Sequence, residues 1–597
     1  MKKGKWEDFV KRNIAIGLLL GMLNSFVFAD IKLDRNANQN TSIDRAQNDQ
    51  AVIININTPN SKGISVNDFE NFQTKEGVVF NNFGEGVGRS HLAGMMAANP
   101  NLSKEQAARL ILNRVGGNNR VEIEAFLEVM SHNKTDMIMA STNGYYLNNT
   151  GFINFDKVMF TTSRVDLDSN GNLLPFNVRE GNITVGRDGI NAEGVRYLAL
   201  LSKSINADGQ IHAKEAEVDL IAGNFDYNPD TKEYTKQGVN NNELLISSSA
   251  YGSIYGSQIK IVAVNGNVGV NGDVISDRVL KINADGTVVT NRTQAKESID
   301  IKAKEYTQES SSYTDGKMTV NSEKTTLNGS GTQTGELEVT GNLESNTTVY
   351  SKGNVTVRGD VKSKGQLLSE GSLEVKGNLE SENLVYGKDE IKVGKNLVNK
   401  SDVQSENDIN VDGNVSNNGK ILADKNLNIK GNTVNQGTLY GKDSIKIDKN
   451  LNNSGNIQTS GDLSAKDTVN TGTVIAEGNI ETENLDNSGE ILTNERLSSK
   501  NIDNKSTGKI NTGNGISTSG NVVNQGTMNT NGDLTVTGNF ENNNTVNAGG
   551  TLTAKDVVNT GALKVSDKIV SRGTVFTNSG EILTENLDVD VSGNIIN

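Results

Sequence analysis

Three histidines are the side chains of this sequence best suited to acid-base or metal chemistry near neutral pH. His91, His132 and His212 lie far apart, without the short spacing that metal sites use. The chain contains no cysteine, so thiolate ligands and disulfides are absent. The sequence motifs of serine hydrolases, phosphate-binding loops and zinc proteases are also missing. We therefore predict no catalytic site, no metal and no cofactor, and that the protein is not an enzyme.

An acidic stretch begins like a calcium-binding loop. Asp166, Asp168 and Asn170 alternate with other residues, but the twelfth position is Asn177, which cannot supply the bidentate carboxylate that such loops need. No helical pattern flanks the stretch, as it would in a helix-loop-helix calcium site. A hairpin turn over residues 169–171 is the better interpretation.

The composition argues against one large globular core. Of the 597 residues, 34% are hydrophobic and 5% aromatic, and there are 62 glycines but only 4 prolines. The apolar residues nevertheless recur at regular intervals, which argues against a disordered chain. The net charge of −14 disfavours binding to nucleic acid, because phosphate backbones require clustered lysine and arginine.

The first 29 residues have the pattern of a secretory signal peptide. Basic residues precede an apolar run over residues 14–23, and small side chains at Val27 and Ala29 mark a cleavage site before Asp30. The apolar run is about ten residues long, whereas a membrane-spanning helix needs roughly 20. Because no later stretch is more apolar, we predict an exported chain without an integral membrane anchor.

A weak repeat extends over residues 329–597, and it restarts at 329, 347, 365, 382, 401, 419, 437, 455, 472, 489, 508, 526, 544, 561 and 580. The mean period is about 18 residues, which indicates a repeat architecture. In the repeat that begins at Gly437, apolar residues alternate with polar ones, so Ile445 and Ile447 should face inward and Lys446 outward. Three short strands per repeat describe one coil of a right-handed parallel β-helix, an all-β fold.

Two positions in the repeat are expected at corners of the coils. Six repeats carry a glycine twelve places in, where we expect a tight turn with positive φ. Several repeats carry an asparagine sixteen places in, and stacked asparagines can form an amide ladder from coil to coil. The glycines are Gly341, Gly359, Gly377, Gly394, Gly413 and Gly431, and the asparagines are Asn417, Asn435, Asn453, Asn524 and Asn542.

The chain is predicted to have four segments. Residues 1–29 are the signal peptide, residues 30–290 form an N-terminal domain, residues 291–328 form a polar transition, and residues 329–597 carry the repeats. The N-terminal domain is richer in aromatic and β-branched residues and lacks a strict period, so we expect it to consist mostly of strands. Its segment 103–112 is compatible with a capped helix or with a strand.

Residues 50–225 of the N-terminal domain resemble the secretion domain of the filamentous haemagglutinin family of two-partner-secretion exoproteins. The resemblance rests on an Asn-Pro-Asn-Leu motif and on four further landmarks that follow it in order. The motif consists of Asn99, Pro100, Asn101 and Leu102, and the landmarks are residues 110–115, 126–129, 151–154 and 181–192. A second family motif is degenerate, because only its Asn-Gly turn, Asn143 and Gly144, is retained.

The resemblance implies a secretion domain that engages an outer-membrane transporter through the transporter's periplasmic recognition domains. It further implies that the chain crosses this transporter unfolded, and that the domain starts β-helix folding outside the cell. Asn99 and Asn101 would hold the turn on which secretion depends. The protein would then be secreted, or displayed on the bacterial surface, by way of the periplasm.

Arg358, Gly359 and Asp360 spell the tripeptide that integrins bind, and adhesins of this family can display it. The Gly-Asp pair falls where other repeats carry Gly-Asn, so the repeat itself explains two of the three residues. Only Arg358 is left unexplained. We keep the tripeptide as a candidate receptor-binding site, although the repeat is the favoured explanation.

The favoured function is that of an adhesin whose rod contacts an unknown receptor on host cells or on other bacteria. The alternative is the N-terminal part of a contact-dependent growth inhibition toxin, which shares the secretion domain and the rod. A cytolysin is the third reading, disfavoured because the cysteine pair of that branch is missing. The repeats run to Asn597, so we expect either a short gene product or the front of a longer protein.

Overall fold

The computed structural model describes residues 29–239 and 241–596, so the predicted signal peptide lies outside the described residues except for Ala29. The chain divides into two compact units, one ending at Lys304 and the other beginning at Glu305. Every regular element of the described residues is a β-strand, and none of them forms a helix that could cross a membrane. The predicted all-β class is confirmed.

The first unit contains 28 strands among its described residues. They are β1 (Asp30–Leu33), β2 (Ser42–Arg45), β3 (Ala51–Asn55), β4 (Ile64–Thr74), β5 (Gly77–Asn81), β6 (Val87–Ser90), β7 (Gly94–Ala97), β8 (Leu110–Val115), β9 (Val121–Ile123), β10 (Phe126–Met130), β11 (Thr135–Ala140), β12 (Tyr145–Leu147), β13 (Thr150–Ile153), β14 (Phe155–Thr161), β15 (Phe176–Val178), β16 (Asn182–Val185), β17 (Ile190–Asn191), β18 (Tyr197–Ser202), β19 (Ser204–Ala207), β20 (Ile211–Gly223), β21 (Phe225–Asn228), β22 (Glu233–Lys236), β23 (Glu243–Ser248), β24 (Ile254–Val264), β25 (Gly266–Val270), β26 (Val274–Ala284), β27 (Thr287–Ala295) and β28 (Ser298–Lys302).

Most strands of the first unit stack in parallel, as a β-helix requires. One face runs through β4, β8, β11, β14, β18, β20, β24 and β26, each paired in parallel with the next. At the N-terminal end, β1 pairs antiparallel with β4 and β2 pairs antiparallel with β3. Two antiparallel additions stand outside the stack, the hairpin β6–β7 and the three-stranded sheet β15–β21–β22.

The three-stranded sheet covers the outer side of the parallel face. Phe176, Phe225 and Tyr227 pack from this sheet onto Leu112 and Leu201 of the face beneath. Strands beneath this sheet, such as β8 and β18, are therefore buried on both sides, and they have mostly apolar runs instead of alternating patterns. The same effect settles the ambiguous segment 103–112: its apolar end belongs to strand β8, and the residues before it form turns.

The second unit is a parallel stack of short coils, which confirms the predicted β-helix. Each strand pairs with the strand about one repeat later, as Thr438–Gly441 does with Asn456–Thr459. Ile445 and Ile447 are buried and Lys446 between them is exposed, as the alternation predicts. One coil consists of Thr438–Gly441, Ser444–Ile447 and Leu451–Asn453, and the strands of the unit extend from Glu305–Thr314 to Asn594–Ile596.

Strands also occupy most of the segment assigned to a polar transition. Lys317–Asn321 pairs in parallel with Glu336–Val339 of the first predicted repeat. Met318 and Val320 point into the core, while Lys317 and Thr319 are only half-buried. The polar composition of this segment therefore reflects its outward-facing positions. The functional boundaries at 290 and 328 stay predictions.

The predicted amide ladder is present and longer than expected. Asn435 donates from Nδ2 to Oδ1 of Asn453 at 2.7 Å, and Asn453 donates in the same way to Asn470 at 2.8 Å. The same side chain also reaches the carbonyls of Gly455 and Thr473. The rungs are Asn399, Asn417, Asn435, Asn453, Asn470, Asn487, Asn504, Asn524, Asn542, Asn559 and Asn578.

The prediction of positive φ at the six corner glycines is wrong, because none of them has it. The reason for glycine there is close stacking of backbones. A Cβ atom at Gly431 would lie 2.3 Å from the carbonyl oxygen of Gly413 in the coil before it, and one at Gly341 would lie 2.1 Å from that of Ser322. These corners approach each other too closely for a side chain that points along the stack.

Replacing Ile445 by lysine should open the core of its coil. Ile445 stacks between Leu427 and Leu463, and an unpaired charge buried there costs several kcal/mol. Lys446→Glu, on the exposed side of the same strand, should change stability by no more than about 0.5 kcal/mol. Limited proteolysis of the two variants measures the difference, and equal resistance would contradict the register.

Replacing Asn453 by alanine should weaken the ladder locally. The change leaves Oδ1 of Asn470 without its amide donor, at about 1–3 kcal/mol for a buried unsatisfied group, whereas the carbonyl of Gly455 keeps its hydrogen bond from the N–H of Thr473. Asn452→Ala is the matched control, since Asn452 is exposed. Hydrogen exchange of residues 435–473 should accelerate in the first variant only. Identical exchange in both variants would show that the ladder adds no stability.

Candidate functional site

The Asn-Pro-Asn-Leu motif lies in a tight loop directly after strand β7. Asn99 is 1% exposed, whereas Pro100 beside it is exposed. The Asn99 side chain donates from Nδ2 to the carbonyl oxygens of Ile56 at 2.9 Å and Asn81 at 2.8 Å. These carbonyls lie at the ends of β3 and β5, which pair in parallel. Asn99 thus closes the ends of two stacked strands.

The other motif residues complete the turn. Oδ1 of Asn99 accepts a hydrogen bond from the backbone N–H of Asn101 at 2.9 Å, a local bond that asparagine commonly makes in turns. Pro100 between them fixes its own φ. The Asn101 side chain donates to the carbonyl oxygens of Asn40 at 2.7 Å and Ile56 at 3.1 Å. Leu102 is buried. The motif therefore ties together three segments distant in sequence.

The same loop holds the foot of the hairpin β6–β7. The backbone N–H of Asn99 donates to the carbonyl of Phe83 at 2.7 Å, and that of Ala98 donates to Gly86 at 2.9 Å. A structural change at Asn99 would therefore reach the hairpin as well as the strand ends.

Glu128 holds the other end of this hairpin, and sequence reasoning did not single it out. Its side chain is nearly inaccessible, at 3% exposure, and it lies in the apolar strand β10. The carboxylate accepts hydrogen bonds from Ser90 Oγ at 2.7 Å and from the backbone N–H groups of His91 and Leu92 at 2.8 and 2.9 Å. A charged residue inside the apolar run 126–129 was the signal that could have identified it.

The degenerate second motif also forms a turn. Gly144 has a φ of +87°, and a Cβ atom there would lie 2.3 Å from the carbonyl oxygen of Asn182. The Asn143 side chain donates to the carbonyl oxygens of Gly117 and Asn119. Both retained residues are therefore explained by the backbone. The structure does not bring them into contact with the first motif, and their role in secretion stays a prediction.

Arg358, Gly359 and Asp360 lie at a corner of the second unit. Arg358 forms an ion pair with Glu338 at 2.9 Å. Asp360 accepts hydrogen bonds at Oδ1 from the backbone and the side-chain nitrogens of Asn378, at 2.7 and 2.9 Å. The carboxylate thus joins two coils, in the place that asparagine occupies in the coils on either side.

The acidic stretch at residues 166–177 forms the predicted hairpin turn. Asp168 N–H donates to the carbonyl of Asn172, and Gly171 N–H donates back to Asp168. Hydrogen bonds from the side chain and backbone of Asn172 lower the pKa of the Asp168 carboxyl. The Asp168 carboxylate therefore accepts hydrogen bonds from residues of its own turn. The described residues contain no group of three or more metal-ligating side chains.

A buried titratable cluster joins the covering sheet to the face beneath it. The Tyr197 hydroxyl donates to Asp219 Oδ2 at 2.9 Å, and the hydroxyls of Tyr197 and Tyr227 lie 2.9 Å apart. Burial raises the pKa of the Asp219 carboxyl and those of both phenols. These groups connect β18 and β20 with β21, so the cluster has a structural explanation.

Comparison with protein families identifies residues 29–288 as a match to the TPS secretion domain, where TPS stands for two-partner secretion. The match covers all five landmarks of the sequence analysis. It confirms the resemblance to the filamentous haemagglutinin family.

Curated relatives match this chain over part of its length. The "16S rRNA endonuclease CdiA" of Enterobacter cloacae is 30% identical over 284 residues, which are 47% of this chain and 8% of that protein. The "Filamentous hemagglutinin" of Bordetella pertussis is 29% identical over 248 residues, or 40% of this chain and 7% of that protein. The chain thus spans less than a tenth of the length of either relative.

A solved structure, "Crystal structure of filamentous hemagglutinin secretion domain", is also similar to this chain. It covers 51% of this chain and 97% of its own, with 23% sequence identity and a TM-score of 0.39.

Replacing Asp360 by asparagine tests the tripeptide without disturbing the corner. Asparagine preserves an Oδ1 acceptor for Asn378 and matches the residue in neighbouring coils. We expect Asp360→Asn to leave both thermal stability and attachment to cultured host cells unchanged. Asp360→Ala, which removes the acceptor, serves as the control for the structural role. A loss of attachment in a stable Asp360→Asn protein would establish the tripeptide as a ligand.

Proposed function

We propose, on the premise that residues 29–288 are a TPS secretion domain, that a dedicated outer-membrane transporter exports this chain from the periplasm to the cell surface. The observation that carries the proposal is the motif Asn99–Leu102 within the matched domain. Its two asparagines are built into the fold by hydrogen bonds to backbone carbonyls. We therefore propose that the motif acts by shaping the domain that the transporter recognises.

We further propose that the exported chain is an adhesin. Its second unit is a stack of coils held together by hydrogen bonds, and the residues that face solvent are mainly polar and charged. A stack of this kind needs no metal, disulfide or partner chain to order its coils. It can therefore present a long series of side chains to a receptor on a host cell or on another bacterium.

A second candidate is a contact-dependent growth inhibition protein. Several curated relatives, each aligned with about half of this chain, carry the name CdiA and are described as nucleases. The nuclease names belong to those relatives, and the prediction that this chain has no enzymatic activity stays a prediction. Co-culture with sensitive bacteria separates the candidates, because a growth inhibitor reduces their viable count whereas an adhesin only binds them.

The export proposal predicts the effect of removing both motif asparagines. Asn99→Ala with Asn101→Ala removes the donors for Ile56, Asn81 and Asn40. We expect normal removal of the signal peptide, retention in the periplasm and at least a tenfold lower surface yield. Immunoblots of periplasmic and surface fractions measure these amounts.

The matched control is Asn118→Ala, which alters an exposed asparagine in the same domain. The three proteins are compared with the transporter gene present and with it deleted. The control should behave as the original chain in both backgrounds. Normal surface display of the original chain without any transporter would refute two-partner secretion.

A further inference from the structure

The outer face of the hairpin β6–β7 is an exposed apolar surface that the fold does not use. Val87, Arg89, Met95 and Ala97 alternate with inward-facing residues and all four are exposed. Val87 pairs with Ala97 and Arg89 with Met95, so the four side chains form one patch, here called the outer hairpin face. Val87 is 65% and Met95 is 59% exposed. Adjacent exposed apolar residues of this kind mark interaction sites more often than scattered ones do.

The inner face of the same hairpin is packed tightly. Met96 and Ala93 belong to a small core with Val79 and Met130. Gly88 lies so close to this core that a Cβ atom there would be 2.1 Å from Cε of Met130. The hairpin therefore cannot turn over to hide its outer face without losing this packing.

One end of the hairpin is fixed by a buried carboxylate and the other by backbone hydrogen bonds. Glu128 binds the turn at Ser90, His91 and Leu92, and the loop of Asn99 binds the foot. A rigid surface loses less conformational entropy on binding than a mobile one, which favours affinity. The fold thus uses the buried Glu128 carboxylate and the backbone of the Asn99 loop to hold in place an element whose outer face contributes nothing to the core.

The outer hairpin face also carries an unneutralised positive charge. Arg89 has no ion pair among the described residues, although acidic residues are in excess over the whole chain. Nearby cations are paired, as Lys104 is with Glu85 at 3.0 Å. An apolar patch with one free arginine is complementary to an apolar surface that carries a carboxylate. The hairpin is a two-stranded sheet to which no third strand pairs among the described residues. A strand of a partner protein can therefore pair with its edge through backbone hydrogen bonds.

We propose that the outer hairpin face is the docking surface for the periplasmic part of the outer-membrane transporter. The proposal rests on the export function proposed above and assigns it a specific contact. The partner surface is apolar, bears a carboxylate opposite Arg89 and adds a strand to the hairpin. The Asn99 motif is then a positioning element, which keeps this face presented from the base of the hairpin.

Photo-cross-linking in cells that produce all 597 residues tests the contact. A photoreactive amino acid is placed at position 95, or at position 244 as the control, because Leu244 is similarly exposed, at 58%, in the same unit. We expect an adduct with the transporter from position 95 and none from position 244. An adduct of two copies of this chain from position 95, or equal transporter adducts from both positions, would overturn the proposal.

Substitutions test whether the contact drives export. Val87→Ser with Met95→Ser, and separately Arg89→Glu, should each lower surface yield at least tenfold, whereas Arg89→Lys and Leu244→Ser should not. All four changed positions are exposed, so thermal unfolding of the purified proteins should match that of the original chain. Normal export of the double serine variant would overturn the docking surface.

Deleting the transporter gene separates the two proposals. If the original chain needs the transporter and the hairpin variants are exported normally, the docking surface is wrong and two-partner secretion stands. If the original chain reaches the surface without the transporter, the export function itself is wrong.

Discussion

Backbone hydrogen bonding between successive coils is the constraint on which the structure depends. In a β-helix each strand must offer its N–H and C=O groups to the next coil, so consecutive coils have to keep the same register. Thr438↔Asn456 and Leu451↔Thr468 show this pairing in the second unit. A backbone N–H or C=O group at a corner that lacks a hydrogen-bond partner is buried against the next coil. Each such group lowers the free energy of unfolding by about 1–3 kcal/mol. The polar side chains at the corners are therefore part of the framework.

The same constraint explains which features the sequence could predict. The alternation around Ile445 and the spacing of the asparagines are local patterns repeated many times, so the coil, its inward residues and the amide ladder were accessible from sequence. The glycine corners were misinterpreted, because closeness to the preceding coil and a positive φ both call for glycine, and only the three-dimensional stack distinguishes them. The ladder also starts late: Ser345, Ser363 and Ser381 occupy the equivalent place in earlier coils, and their short side chains bond within their own coil.

The candidate site was predictable in part. The motif Asn99–Leu102 could be located by resemblance, but its partners Ile56, Asn81 and Asn40 come from distant segments that no local pattern connects. The hairpin beside it and the role of Glu128 depend on which strand lies beneath which loop. The covering sheet that buries Leu112 and Leu201 from outside was missed for the same reason, because its strand β15 lies far in the sequence from the hairpin β21–β22 with which it pairs.

The buried ladder has a consequence for how such a chain can change over generations. Its rungs are joined by 2.7–2.9 Å bonds although their separation in the sequence varies, from 17 positions for Asn453 and Asn470 to 20 positions for Asn504 and Asn524. The two extra residues after Asn504 lie in the ladder's own corner, where the Asn504 amide bonds to the carbonyl of Gly508, four residues on, and Asn504 still donates to Asn524 in the next coil. Unequal recombination between repeats can then add or delete whole coils, and each product begins its next coil in register. The number of coils can therefore change during evolution, whereas each coil must keep its ladder asparagine in place.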